Sequence, residues 1–155
     1  MAGLHAVDSS VVLAILHEED DWQSYAGRIS GQYIASINAA EVLTTLVQAG
    51  LTPEAAGQAL RLLGMIVVPF DEQDAVMMAA MQPQMKGLHL GLGGKACLAF
   101  ARRRDLIVLS ADKAWRGLDL GVKIEVVREP FLRLRGVARH RRLQHHAERG
   151  QGLPV

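Results

Sequence analysis

The sequence predicts an α/β fold in which helices cover both faces of a parallel sheet. Short apolar runs alternate with helical patterns, and strands that are apolar throughout are typical of parallel sheets buried on both faces. The chain has 155 residues, the size of one domain, and is half apolar with 21% charged residues, which excludes a largely disordered protein. Cys97 is the only cysteine, which excludes a disulfide framework and fits a reducing, cytoplasmic compartment.

Three predicted strands lie in the first half of the chain, and a helix follows each of them. The strands are residues 4–7, 32–35 and 65–70. Ser9 or Ser10 caps a helix that continues to Leu16. Further helices are predicted at residues 21–29, 37–48, where Gly50 follows as a stop signal, and 53–63, where Pro53 suits the first helical position.

The second half repeats the alternation around a glycine-rich loop. A helix is predicted at residues 71–81, with acidic residues at its start, where the helix dipole favours them. The loop covers residues 87–94 and contains four glycines. The remaining predicted elements are a helix at 95–103, a strand at 106–109, a short helix at 111–116 and a strand at 122–127.

Charge divides the chain into a body and a basic segment. Residues 1–127 contain 14 acidic and 10 basic residues, whereas the last 28 residues contain seven arginines and two glutamates. A boundary is expected near Pro130, because proline cannot continue a central strand. We therefore predict a domain at residues 1–128 and a basic, flexible tail at 129–155. The longest uncharged stretches are too short to span a membrane, and the N-terminus lacks the pattern of a signal peptide.

Three acidic residues interrupt apolar sequence at element boundaries. Asp8 ends the first predicted strand, Asp112 follows the strand at 106–109, and Glu41 lies in an otherwise uncharged helix after the second strand. Ligands of parallel α/β sheets gather outside the carboxyl ends of the strands. If the second strand lies beside the first, the three carboxylates converge and require a cation, for which Mg²⁺ or Mn²⁺ is suited.

Simpler structural roles remain open for each of these acids. An Asp at a strand–helix junction is most often a helix cap, and Glu41 can be an ordinary surface glutamate of an amphipathic helix.

Nucleotide-binding motifs are excluded more firmly. His89 and Ala96 stand where a phosphate-binding loop needs glycine and a hydroxyl, and Ala96 also breaks the dinucleotide glycine pattern.

Four segments in order resemble the PIN-domain family, and in particular the VapC-type toxins of bacterial toxin–antitoxin pairs. They are Val-Asp-Ser-Ser-Val-Val-Leu-Ala-Ile-Leu, Asn-Ala-Ala-Glu-Val, Leu-Gly-Leu-Gly-Gly-Lys-Ala-Cys-Leu-Ala and Leu-Ser-Ala-Asp-Lys-Ala-Trp, within residues 4–128. The resemblance implies an α/β/α sandwich and a Mg²⁺- or Mn²⁺-dependent endoribonuclease that cuts structured RNA such as tRNA or rRNA. It assigns the acidic site to Asp8, Glu41 and Asp112, with Ser110 and Ser10 orienting the carboxylates of Asp112 and Asp8.

One position departs from the family pattern. Members usually have Leu-Gly-Asp-Arg-Ala-Cys where this chain has Leu-Gly-Gly-Lys-Ala-Cys, so Gly94 stands where the resemblance implies a third acid. Glycine at a helix start is intrinsically unfavourable, so helix propensity does not explain the change. Two explanations are open: the enzyme is naturally weakened, or the acid was lost because an active RNA-cutting toxin kills its host.

Two function hypotheses follow from these observations. The first is a metal-dependent endoribonuclease toxin, and the second is a catalytically silent PIN-like module that binds RNA or an antitoxin. The expected partners are a cognate antitoxin, an RNA substrate and a second copy of the chain in a homodimer. Arg133, Arg135 and Arg139 are candidate RNA-phosphate contacts in the basic segment, with a solvated terminus as the alternative.

Overall fold

A computed structural model describes residues 3–127, in which the expected α/β alternation is present. The strands are β1 (His5–Val7), β2 (Tyr33–Ala35), β3 (Ile66–Val68), β4 (Ile107–Ser110) and β5 (Ile124–Val126). The helices are α1 (Ser9–Leu16), α2 (Gln23–Ala26), α3 (Ser36–Gln48), α4 (Pro53–Leu62), α5 (Glu72–Ala80), α6 (Gln82–Met85) and α7 (Leu92–Arg104), and a 3₁₀ turn covers Lys113–Trp115.

The five strands form one parallel sheet in the order β3-β2-β1-β4-β5. The first strand therefore lies at the centre, between β2 and β4. Because all the strands are parallel, their carboxyl ends lie along one edge of the sheet, and the chain segments that follow β2, β1 and β4 are neighbours there.

Alternate residues of the central strands supply two separate cores. Val7, Ile34 and Leu109 face a core completed by α1, α3 and α4. Ala6 and Val108 face the opposite way, into a core filled mainly by α7 and the methionines near α6. Side chains of a strand point alternately to its two faces, so each strand contributes to both cores. The predicted three-layer α/β/α sandwich is confirmed.

Several predicted boundaries are wrong in informative ways. Only Gln23–Ala26 of the helix expected at 21–29 is helical, and the helix expected at 111–116 is the 3₁₀ turn. The helix expected at 95–103 begins earlier, at Leu92, so the last glycines of the predicted loop lie in its first turn. Strand β3 is shorter than residues 65–70 and, as an edge strand, leaves Ile66 and Val67 about half exposed.

The predicted domain boundary and tail at 129–155, with Arg133, Arg135 and Arg139, lie outside the described residues. Within residues 3–127, no helix combines the length and the apolar character that a membrane span requires.

Candidate active site

The three predicted acids line a single cavity at the carboxyl edge of the sheet. Asp8 directly follows β1, Glu41 lies in the second turn of α3 after β2, and Asp112 lies two residues beyond β4. The cavity has a volume of about 630 Å³, and no lysine or arginine occurs among the described residues that line it. Adjacent parallel strands thus bring the three acids together, as the topology argument predicts.

Asp8 is both a helix cap and a buried acid of the cavity. Its Oδ2 accepts hydrogen bonds from the backbone N–H of Ser10 (3.2 Å) and from the Ser10 hydroxyl (2.5 Å). Burial raises the pKa of Asp8 to about 6 from its usual 3.8. The hydrogen bonds from Ser10 oppose this rise in pKa, and the charge of Glu41 adds to it. The Ser10 contact is the geometry that the predicted orienting role requires.

Glu41 is exposed, but two buried polar residues lie behind it. The Ser9 hydroxyl donates to Glu41 Oε2 at 2.8 Å. The side-chain amide of Asn38 donates to the backbone carbonyl of Gly93 at 3.0 Å and to Ser9 Oγ at 3.4 Å. Glu41 is therefore more than an ordinary surface glutamate, because its carboxylate is held by a residue on another helix.

Asp112 caps the 3₁₀ turn at the exposed side of the cavity. Its Oδ1 accepts a hydrogen bond from the backbone N–H of Ala114 at 2.9 Å. Ser110 contacts the backbone of Asp112 rather than its carboxylate, because the Asp112 N–H donates to Ser110 Oγ at 3.1 Å. The hydroxyls of Ser110 and Ser10 are 3.4 Å apart, so the segments that carry Asp8 and Asp112 meet through serines.

Gly94 lies in the first turn of α7 on the wall of the same cavity. A Cβ at position 94 would stand 2.9 Å from Cζ2 of Trp115, whose indole is almost fully buried. Any side chain at this position therefore requires a small displacement of the Trp115 ring. The ring occupies part of the space that an acid at position 94 would need.

The donor set suits a hard cation in chemistry but falls short in arrangement. Carboxylate oxygens are the preferred ligands of Mg²⁺ and Mn²⁺, and among the described residues the cavity wall supplies no lysine or arginine to neutralise Asp8 and Glu41. Within residues 3–127, however, no group of three or more His, Cys, Asp or Glu side chains is close enough to hold a metal ion. The three predicted acids thus share one cavity, but within the described residues their side chains are not gathered into a three-ligand group.

Sequence reasoning missed the contact of Ser9 with Glu41, the part that Asn38 plays, and the proximity of Trp115 to Gly94. The signals were present, since Asn38 is three residues before Glu41 and thus on the same side of α3, and Ser9 adjoins Asp8. Neither signal shows that Ser9 and Glu41 touch, because that contact joins residues 32 positions apart.

The sequence model of the PIN domain family matches residues 6–120, which is most of the chain. The chain belongs to the PIN domain family. The family assignment made from the sequence is confirmed, and the match spans β1, the helix of Glu41, the first turn of α7 and the segment of Asp112. PIN domains of VapC toxins are nucleases, and PIN nucleases generally use divalent metal ions.

Solved structures with the same fold include toxin–antitoxin complexes. A DNA-bound VapBC complex from Salmonella typhimurium is 18% identical, with a TM-score of 0.62 over 79% of this chain and 97% of that one. The structure of FitAcB from Neisseria gonorrhoeae is 19% identical, with a TM-score of 0.59 over 78% of this chain and 96% of that one. The VapBC-5 system of Mycobacterium tuberculosis is 25% identical, with a TM-score of 0.52 over 81% and 98%. No curated protein matches the chain in sequence.

Proposed function

We propose that this PIN domain is the endoribonuclease toxin of a toxin–antitoxin pair, weakened by glycine at position 94. The observation that carries the proposal is the meeting of Asp8, Glu41 and Asp112 on one cavity at the carboxyl ends of adjacent strands. That arrangement in a PIN domain supports hydrolysis of a phosphodiester.

Asp8, Glu41 and Asp112 would hold the divalent ion, Mg²⁺ or Mn²⁺. When bound, such an ion supplies activation of water and compensation of charge on the phosphodiester. Ser10 keeps the Asp8 carboxylate in one orientation through two hydrogen bonds, and Ser9 does the same for Glu41 through one. Burial raises the pKa of Asp8 because it disfavours the ionised carboxylate. A cation in the cavity would offset this unfavourable effect, and that would contribute to its binding.

The decisive experiment is Gly94→Asp. Position 94 lies in the first turn of α7, where the helix dipole stabilises a carboxylate, and it faces the cavity. Loss of one electrostatic group from an active site typically lowers the rate ~100–1,000-fold, so we expect Gly94→Asp to increase RNA cleavage by a factor of that order. Cleavage of a structured RNA in Mn²⁺ is the measurement, and growth arrest on induced expression is the second readout.

Two control variants separate charge from shape. Gly94→Ala and Gly94→Asn both place a Cβ against Trp115, and Asn also has nearly the size of Asp. We expect both to cleave RNA no faster than the parent. If Gly94→Asp cleaves RNA no faster than Gly94→Asn and gains no response to Mn²⁺, the carboxylates do not form a catalytic centre.

A second candidate function is a catalytically silent PIN module that binds RNA or an antitoxin. Two observations favour it: the glycine at position 94, and the lack of a three-ligand group among residues 3–127. Failure of Gly94→Asp to restore cleavage would make this the better assignment.

The proposed partners are an antitoxin, an RNA and a second copy of the chain, in the cytoplasm. Support for the antitoxin comes from the structural relatives, which are solved as VapBC complexes. Co-expression with the product of a short adjacent reading frame should give a stable complex, and sedimentation of the purified chain should give a dimer. A chain that stays monomeric and captures no such product would contradict both partner assignments.

A further inference from the structure

Ser9 and Asn38 form a one-way relay of hydrogen bonds that ends on Glu41. Both side chains are buried. The Gly93 carbonyl can only accept a hydrogen bond, so the group of Asn38 that faces it must be the NH₂ group. That NH₂ group also faces Ser9 Oγ, which leaves the Ser9 hydroxyl to donate to Glu41 Oε2.

The unpaired oxygen of Asn38 indicates that its donors are what matter here. Asn38 Oδ1 is buried and has no hydrogen-bond partner within the described residues. A buried unpaired carbonyl oxygen destabilises a protein, so the hydrogen bonds that the Asn38 NH₂ group donates have to offset that cost. A carboxylate at position 38 could not replace it, because an ionised Asp only accepts hydrogen bonds.

The relay holds the Glu41 carboxylate against the backbone of Gly93. A Cβ at position 93 would overlap Glu41 Oε2 and would stand 3.1 Å from its Cδ. The backbone of Gly93 is in helix α7, not in the left-handed region, so glycine is needed here for the close approach of Glu41 and not for its conformation.

We propose that Ser9 and Asn38 are positioning residues that hold the Glu41 carboxylate against Gly93, on the wall of the cavity. Their hydrogen bonds link α1, α3 and the first turn of α7. The orientation of the Glu41 carboxylate is therefore fixed by all three helices. This role rests on the proposed function only in its consequence for metal binding. The contact itself can be tested without a metal.

A double-mutant cycle of Ser9→Ala and Gly93→Ala on the full chain tests the contact. In the parent, Gly93→Ala forces the Cβ against a held carboxylate, and we expect the Tm to fall by about 2–4 °C. In the Ser9→Ala background Glu41 is free to turn away, and alanine is the better helix residue, so Gly93→Ala should leave the Tm unchanged or raise it. A second cycle uses Asn38→Asp, which lacks the donors, in place of Ser9→Ala, and we expect the same result from it. Equal Tm changes in both backgrounds overturn the proposal.

Stabilisation by Mn²⁺ tests the consequence for the site. Removing a hydrogen-bond partner of a metal ligand typically weakens metal binding about 10–100-fold. Ser9→Ala should therefore raise, by at least tenfold, the Mn²⁺ concentration that gives half of the maximal increase in Tm. Ser36→Ala is the matched control, because within residues 3–127 the Ser36 hydroxyl has one hydrogen bond, which it accepts from the backbone N–H of Phe70 at 2.9 Å. Its Mn²⁺ response should equal that of the parent.

Asp8→Asn distinguishes the two ideas. If Asp8→Asn loses the Mn²⁺ response and Ser9→Ala keeps it, the positioning role is overturned and the metal site stands. If no variant or parent responds to Mn²⁺, the proposed metal site fails, and the Tm cycle alone decides whether the relay holds Glu41.

Discussion

Asp8 is the residue at which the structural and the functional roles conflict. As the cap of α1 it accepts two hydrogen bonds from Ser10, which stabilise its ionised form. Its burial has the opposite effect and is the larger influence, so its pKa rises to about 6. A smaller capping residue such as Ser would cap the helix without this cost. A carboxylate at position 8 is therefore explained better by the cavity than by the helix.

The raised pKa of Asp8 predicts that stability falls as pH rises from about 4 to about 6. Across that window the folded protein holds a proton on Asp8 that the unfolded chain has released. The corresponding loss of unfolding free energy is at most about 3 kcal/mol and is complete by pH 7. Asp8→Asn has no proton to lose, so relative to the parent it should gain stability at pH 7 and little at pH 4. Urea unfolding between pH 4 and 7 measures this.

Ser10→Ala is the directional control for this prediction. It removes the hydroxyl that donates to Asp8 Oδ2, a contact that lowers the pKa of folded Asp8, so the upper end of the pH window should rise while the lower end stays near pH 4. A pH dependence that is the same in Asp8→Asn and in the parent would show that Asp8 is not the group responsible.

At the scale of elements, α5 and α7 are joined by a buried carboxylate. Asp74 forms a capping box with Asp71 at the start of α5. It also accepts hydrogen bonds from Arg103 (2.8 Å) and Arg104 (2.5 Å) at the end of α7. Burial raises the pKa of Asp74, but the hydrogen bonds from Arg104, from the Asp71 backbone and from Arg103 outweigh it, and the pKa falls to about 2.

Asp74→Ala should therefore be costly, because it removes one half of the capping box and leaves two arginines without their shared partner. We expect a loss of about 3 kcal/mol in unfolding free energy. Glu72→Ala, an exposed acid in the same helical turn, should cost less than about 0.5 kcal/mol. Chemical denaturation at pH 7 compares the two, and similar losses would contradict the assigned role of Asp74.

The elements that the sequence predicted well are those whose signals are local. The acidic start of α5, the proline that starts α4 and the alternation of strands and helices all depend on neighbouring residues. The start of α7 was misplaced because Gly93 and Gly94 disfavour helix by propensity. Tertiary contact overrides that preference, since Gly93 packs against Glu41 from a helix more than 50 positions away.

The same distinction applies to the candidate site. The strand-end rule was sufficient to select Asp8 and Asp112, and the sheet order then placed Glu41 beside them. The rule gives positions but no side-chain orientations. For that reason the sequence did not predict that Ser110 bonds the backbone of Asp112, or that the carboxylates do not form a ready three-ligand group within residues 3–127.

At the scale of the whole molecule, charge poses a problem for an RNA ligand. Residues 1–127 contain 14 acidic and 10 basic residues, and the described cavity wall contains carboxylates but no lysine or arginine. RNA phosphates are therefore repelled by the surface on which they would be cut. Affinity for RNA has to come from cations elsewhere, and the last 28 residues supply seven arginines against two glutamates.

We therefore predict that Arg133, Arg135 and Arg139 contribute to RNA affinity through phosphates. Replacing all three with Gln should weaken RNA binding and reduce the slope of log affinity against log salt concentration by about 2, since each phosphate contact contributes ~0.7–0.9 to that slope. Fluorescence anisotropy of one labelled structured RNA across a salt series measures both quantities.

Because lowering the net charge by three weakens binding to any polyanion, the matched control replaces three cations of the body, Arg61, Lys86 and Lys123, with Gln. That control has the same net charge but keeps the arginines of the basic segment, so its salt slope should stay near that of the parent. Equal slopes for the two triple variants would mean that net charge alone governs RNA binding and that the basic segment makes no phosphate contacts.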